Sequence, residues 1–160
     1  MITLNPIGVV HTKRLDTRDD DWGDVESVIE LRPDLPAGSL DGLEDFSHAE
    51  IVFVFDRIDE ASAVTGTRHP RNNPAWPKVG IFAQRASRRP NRLGVTIVAI
   101  IGREGSRLRV RGLDAADGTP VVDIKPVMAE FLPREPVRQP AWSHELMRDY
   151  WRRAQQDDRA

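Results

Sequence analysis

The stretch Leu93-Gly94-Val95-Thr96-Ile97-Val98-Ala99-Ile100-Ile101-Gly102 is followed, past Glu104-Gly105, by Arg107-Leu108-Arg109-Val110-Arg111-Gly112-Leu113. The first segment is β-branched and strongly apolar. It is too short and too continuous for an amphipathic surface helix, and it reads as a strand. Glu104-Gly105 supplies a hairpin turn. The second segment alternates Leu108, Val110 and Gly112 with three arginines, which predicts a strand with a buried face and a cationic face. Two antiparallel neighbours of this kind set the expectation for the whole chain.

Similar segments lie on both sides. Ile7-Gly8-Val9-Val10-His11-Thr12 reads as a first strand, and Val25 to Leu31 as a second with one wet face. Ser39 to Leu43 has room for a single helical turn. Ile51-Val52-Phe53-Val54-Phe55 reads as a buried central strand. Lys78 to Gln84 predicts another strand, and Val121-Val122-Asp123-Ile124-Lys125 the last. Residues 59–77 form a long polar loop holding Pro70, Pro74 and Pro77, and loops of that length in compact domains are usually functional. Pro126 to Pro140 reads as an extended connector. Ala141 to Gln155 is the one clear helix, with Trp142, Leu146, Met147, Tyr150 and Trp151 on its apolar side. Seven or so short strands with little helix predict a mainly β chain: one domain over residues 1–160, a small antiparallel β-barrel with a C-terminal helix.

The chain has no cysteine, so disulfides and thiolate metal sites are excluded and a reducing compartment is expected. No apolar run approaches the roughly 20 residues that span a bilayer. The N-terminus does not read as a signal peptide, so the expectation is a soluble, cytoplasmic protein. The four histidines, His11, His48, His69 and His144, lack ligand spacing, and no metal site is expected. The net charge of −2 conceals an asymmetry: residues 1–60 hold 5 Lys/Arg against 15 Asp/Glu, whereas residues 68–111 hold 11 against one. Such a basic block attracts a polyanion, or it pairs with the acidic N-terminal third; charge pattern leaves both open.

No P-loop, Gly-x-Gly-x-x-Gly or Gly-x-Ser-x-Gly motif is present. Three other segments stand out. Leu43 to His48 leads straight into the buried central strand. Gln84 to Gly94 places four arginines around a Pro-Asn turn, a fork suited to a carboxylate or phosphate, or else a solvated basic turn. Leu113 to Pro126 sets Asp123 and Lys125 on one face of a strand, where they pair or bind a ligand.

These segments carry a resemblance. Leu-x-Gly-Leu-Glu-x-Phe-Ser-His stands at 40–48, Val-Gly-Ile-Phe-Ala-x-Arg-x-x-x-Arg-Pro-Asn-x-x-Gly at 79–94, and Asp-Gly-Thr-Pro-Val-x-Asp-Ile-Lys-Pro at 117–126. With Pro-Ile-Gly-Val-Val-His-Thr at 6–12, they resemble the TsaA-like, or TrmO, family of tRNA methyltransferases, from about Ile2 to Pro126. The resemblance implies a β-barrel, S-adenosyl-L-methionine as methyl donor, and a homodimer with the cofactor near the subunit interface. It implies N6-methylation of threonylcarbamoyladenosine at tRNA position 37. Carried onto this sequence, it implies cofactor binding by Phe82, Arg85, Arg89, Asn91 and Gly94 of the second motif. From the third motif it adds Asp117, Gly118, Thr119, Pro120 and Asp123. His48 and Asp123 are the candidate bases, and Lys125 is the third candidate for catalysis. The basic block 68–111 is the candidate tRNA surface.

The sequence also departs from that pattern. Asp-Asp-Asp-Trp-Gly-Asp (19–24) stands where tRNA-acting members have Pro-Arg-Gln. Gln84, Ala86, Ser87, Arg92, Leu93 and Val127 replace usual choices, and the C-terminal extension of the longer bacterial enzymes is missing. These departures bear on the acceptor. They leave open a small-molecule methyltransferase of the same fold, or a module that binds S-adenosyl-L-methionine without turnover.

Overall fold

In a computed structural model, which describes residues 1–153, six antiparallel strands close into a barrel. They are β1 (Gly8–Thr12), β2 (Glu26–Leu31), β3 (His48–Val54), β6 (Leu93–Glu104), β7 (Arg107–Arg111) and β8 (Pro120–Pro126), in the order β1-β2-β7-β6-β3-β8. Closure by the β1–β8 pairing leaves the sheet without an edge strand. β4 (Thr67–Arg68) and β5 (Val79–Gly80) form a separate two-stranded ribbon.

Alternation decides which side chains fill the interior. Ala49, Ile51 and Phe53 of β3, Val98 of β6, Leu108 and Val110 of β7, and Val121 of β8 are buried together with Val10 and Ile29. Gly94 is inward too. A Cβ there would collide with the Phe53 ring, so the smallest residue is what lets that ring fill the barrel. The β6–β7 hairpin forms as read, with Gly105 at φ +56° in the turn. The arginine face of β7 lies beside acidic residues of β2, with Arg107 3.7 Å from Glu30 and Arg109 3.7 Å from Glu26.

β8 carries an irregularity. Val52 of β3 stands opposite Asp123, but its neighbour Phe53 stands opposite Val121, so Val122 is a surplus residue. One step along β3 therefore matches two along β8, which is a β-bulge.

Two expectations are corrected. The strand expected over Lys78 to Gln84 shrinks to Val79–Gly80, outside the barrel, and a 3₁₀ turn follows over Ile81–Ala83. The cause is Gln84, buried, whose side-chain amide donates to the carbonyls of Arg68 and Val79 and turns the chain back on the ribbon. The helix expected over Ala141 to Gln155 is α1, Ala141–Met147; residues 154 and 155 lie outside the described residues. It stops because the chain beyond it docks elsewhere: the amides of Asp21, Trp22 and Gly23 donate to the carbonyls of Asp149, Tyr150 and Arg152. A side chain at Gly23 would strike the Trp151 carbonyl, so this close approach of backbones needs glycine. No helix among the described residues is long and apolar enough to cross a membrane.

Candidate functional site

The outer face of β8, β3 and β6 brings the motifs together. Val52 pairs with Asp123 on one side and Val95 on the other, and Glu50 pairs with Lys125 and Ile97 in the next row. Two strand spacings, about 10 Å, separate the outermost members of a row. The Arg85 guanidinium donates to the Val95 carbonyl at the far end of the first row. The second and third motifs thus meet on one face, with β3 between them.

Asp123 and Lys125 pair with Oδ2 and Nζ 2.7 Å apart, both half-exposed. The Asp123 hydrogen bond and its charge, helped by Glu50, hold the Lys125 amine above its ordinary value. His48 begins β3 on the same face, opposite Ala99. Its Nδ1 lies 2.7 Å from the Ser47 hydroxyl. When Nδ1 is the protonated nitrogen and donates to Ser47 Oγ, the lone pair at Nε2 is free to accept a proton. Exposed Val95 and Ile97 make the floor apolar.

The arginine turn is held chiefly by main-chain carbonyls. Arg89 donates to Gln84 O at 2.8 Å, and Arg92 to Ile58 O at 2.7 Å. Asn91 and Arg92 adopt left-handed backbone, φ +63° and +51°, after Pro90. Phe82 is 75% exposed, with the Arg89 guanidinium 6.0 Å from its ring centroid, at the outer limit of a cation–π contact.

The turn of the third motif frames the site. Asp117 accepts from the Thr12 amide at 3.0 Å, and its carbonyl accepts from Arg57 at 2.7 Å. Gly118 has φ +82°, Thr119 is buried, and Pro120 opens β8 opposite Val9. Gly94 and Thr119 are therefore turned away from solvent, and Asp117 is committed to holding a turn. Sequence reading missed Glu50 and Arg57. Glu50 shares the outward period of His48 and was accessible from alternation; Arg57 carries no local signal.

The acidic loop that departs from the motif pattern is a clasp. Asp20 meets Arg71 at 2.9 Å, and Asp21 meets Arg152 at 2.7 Å. Buried Trp22 lies 3.6 Å beneath the Arg14 guanidinium, which also donates to the carbonyls of Asp20 and Asp21. Trp76 of the long loop donates to Glu145 of α1 at 2.9 Å. Tyr150 donates to one oxygen of Asp114, and inward-facing Thr96 of β6 donates to the other. Burial and the adjacent Asp114 charge push the Tyr150 phenol far up from its ordinary value.

The pairing of the basic block with the acidic N-terminal third holds for part of the block. Arg71, Arg103, Arg107 and Arg109 pair with acids of the N-terminal third. Arg92 lies 3.9 Å from Glu60. Among the described residues, Arg68, Lys78, Arg85, Arg88, Arg89 and Arg111 form no ion pair. Five of these six lie on β4, immediately before β5 and on the segment that leads into β6.

A probable S-adenosyl-L-methionine-binding protein of Pyrococcus abyssi is 36% identical over 144 residues, covering 86% of this chain and 74% of that protein. The human tRNA (adenine(37)-N6)-methyltransferase is 41% identical over 105 residues, 66% of this chain but 23% of that enzyme. The crystal structure of TrmO from Pseudomonas aeruginosa superposes with a TM-score of 0.71 at 27% identity, covering 89% of this chain and 62% of that one. The chain thus spans about a quarter of the human enzyme and less than two thirds of the bacterial one. The family described as the tRNA-methyltransferase O N-terminal domain matches residues 17–131, from the acidic clasp through the whole of β8, and the chain belongs to that family.

Proposed function

We propose that the chain transfers a methyl group from S-adenosyl-L-methionine to N6 of the adenosine at position 37 of tRNA, with threonylcarbamoyladenosine as the acceptor. The names of the relatives support the donor and the acceptor class. The observation that carries the reading is the single face on which Arg85 and Asp123 flank Val52.

The side chains present fit the donor. Arg85 and Arg89, free of carboxylate partners among the described residues, take its carboxylate. Asp123 and Glu50 face an ammonium or sulfonium charge, and the exposed Phe82 ring offers a stacking surface for a nucleobase. When bound, the cofactor supplies a methyl group already activated on sulfur, so the protein's task is alignment. Lys125 holds Asp123 in place. His48 takes the proton of the acceptor amine at Nε2, its ring oriented by Ser47.

A homodimer belongs to this proposal. Val95, Ile97, Phe82 and Phe131 are exposed apolar side chains, and a second copy laid against the outer face covers such a patch and encloses the cofactor. The unpaired cations Arg68, Lys78 and Arg88 contact tRNA phosphates. A cytoplasmic location goes with a tRNA substrate and with a chain free of cysteine.

Dialysed protein incubated with methyl-labelled donor and total tRNA tests the reading. Label in tRNA, at N6 of position 37 after nuclease digestion, supports it. Donor uptake by calorimetry with no label in tRNA, but with label in a metabolite extract, replaces tRNA by a small acceptor. Uptake with label in neither leaves a sensor, and no uptake ends the proposal.

A further inference from the structure

We propose that Tyr150 is a positioning residue for Arg85, so that the C-terminal segment sets the anion-holding end of the site. The inference rests on the reading above for what Arg85 binds, and on geometry for the rest. The Arg85 guanidinium is fixed to the carbonyl of Val95. The next residue, Thr96, turns inward and gives its hydroxyl to Asp114, whose other oxygen takes the hydroxyl of Tyr150. Both Asp114 oxygens are thus occupied by neutral donors, and no cation pairs with it among the described residues.

The far end of the link is held as firmly. The Tyr150 carbonyl accepts from the amide of buried Trp22 at 2.8 Å, and the Asp149 carbonyl accepts from Asp21 at 3.0 Å. Trp76, in the loop that precedes the arginine turn, donates to Glu145. The segment therefore touches the barrel wall, the acidic clasp and the long loop at once. It crosses where β6 lacks a β7 partner, since β7 pairs only from Ala99 onward. Val95 lies in that one-sided stretch, so nothing in the barrel ladder beyond β3 fixes its carbonyl. A hydroxyl-to-carboxylate link anchored by Tyr150 supplies what the missing strand does not. Tyr150 lies beyond residues 17–131 that the family match covers.

The test is a cycle of Tyr150→Phe, Arg85→Ala and the double variant, with donor affinity read by calorimetry. Tyr150→Phe keeps the ring and its packing. Weakening by about three- to tenfold is expected, the scale of one ordinary hydrogen bond. In the Arg85→Ala background the same change should have no further effect. Equal weakening in both backgrounds means a general structural role and overturns the proposal. Asp114→Asn should reproduce the Tyr150→Phe result. A second arm needs no ligand: the ¹⁵N-labelled Arg85 Nε–H resonance should shift or broaden in Tyr150→Phe, and an unchanged resonance overturns the proposal whatever the calorimetry gives. If the unaltered protein takes up no S-adenosyl-L-methionine, the functional reading falls, and the resonance alone decides whether Tyr150 positions Arg85.

Discussion

The Phe53 ring occupies the volume where a side chain at position 94 would stand. Phe53 is on β3 and Gly94 directly opposite on β6, so the barrel is widest in side chain on one strand where it is narrowest on the other. Gly94→Ala should therefore cost about 1–3 kcal/mol by overpacking. Urea unfolding checks it; a loss under about half a kcal/mol would mean that the ring yields freely.

Arg89 has one main-chain anchor and no ion pair among the described residues. Arg89→Ala should weaken S-adenosyl-L-methionine or acceptor binding by more than about tenfold, the loss of a charge-assisted contact. Calorimetry with the donor and filter binding with tRNA measure it, and unchanged affinity for both removes Arg89 from the site.

His48, steered by Ser47, is assigned a proton rather than a binding contact. His48→Ala should lower kcat by about 10²- to 10⁴-fold, the range for loss of a general base, with donor affinity within about twofold of the starting value. A fall in affinity with kcat preserved would move His48 from chemistry to binding.

The docking of Gly23 on Trp151 predicts a clean lesion. Gly23→Ala should unseat the C-terminal segment while the barrel stays folded. The expected outcome is rapid trypsin cleavage after Arg148 or Arg152 with the far-UV spectrum kept; a protease pattern like that of the unaltered chain counts against it.

The clasp also has a pH signature. The Arg152 hydrogen bond, with the nearby arginine charges, holds the Asp21 carboxyl below its ordinary value of 3.8. A lowered acid stabilises the folded form at full strength above that ordinary value and loses the effect as pH falls through the lower folded one. Tryptophan emission, from a chain with Trp22 and Trp151 next to the residues of this contact, should stay level from pH 8 to about 5 and change only below about pH 4. A transition near neutrality would point to another group.

The barrel strands were legible because their burial has period two. β3 and β7 show it without interruption, β6 shows it as far as Val98, and the hairpin at Gly105 follows from its glycine. The stretch 79–83 is equally apolar yet leaves the barrel, since only the side-chain amide of Gln84, reaching two carbonyls, bends it away. The helix after Ala141 has helical spacing well past Met147, but backbone bonds to the acidic clasp prevail over local preference. Of the candidate site, Asp123, Lys125, His48 and Arg85 could be chosen from motif and alternation. Asp114 and Tyr150 could not, because their meeting depends on contacts between residues 36 apart.

The surplus residue Val122 has one more consequence. Positions 121 and 123 would share a side in a regular strand, yet Val121 lies in the oily interior and the Asp123 carboxylate reaches water. One inserted amino acid turns the strand over midway, so the same short segment seals the barrel at its start and displays a charge at its end. Pairing β8 as a regular strand with Val122 in register, without the bulge, would force either a carboxylate into hydrocarbon or a valine into solvent. The bulge, by absorbing Val122, is thus what keeps a sealing side chain and a displayed charge on opposite sides of one short strand.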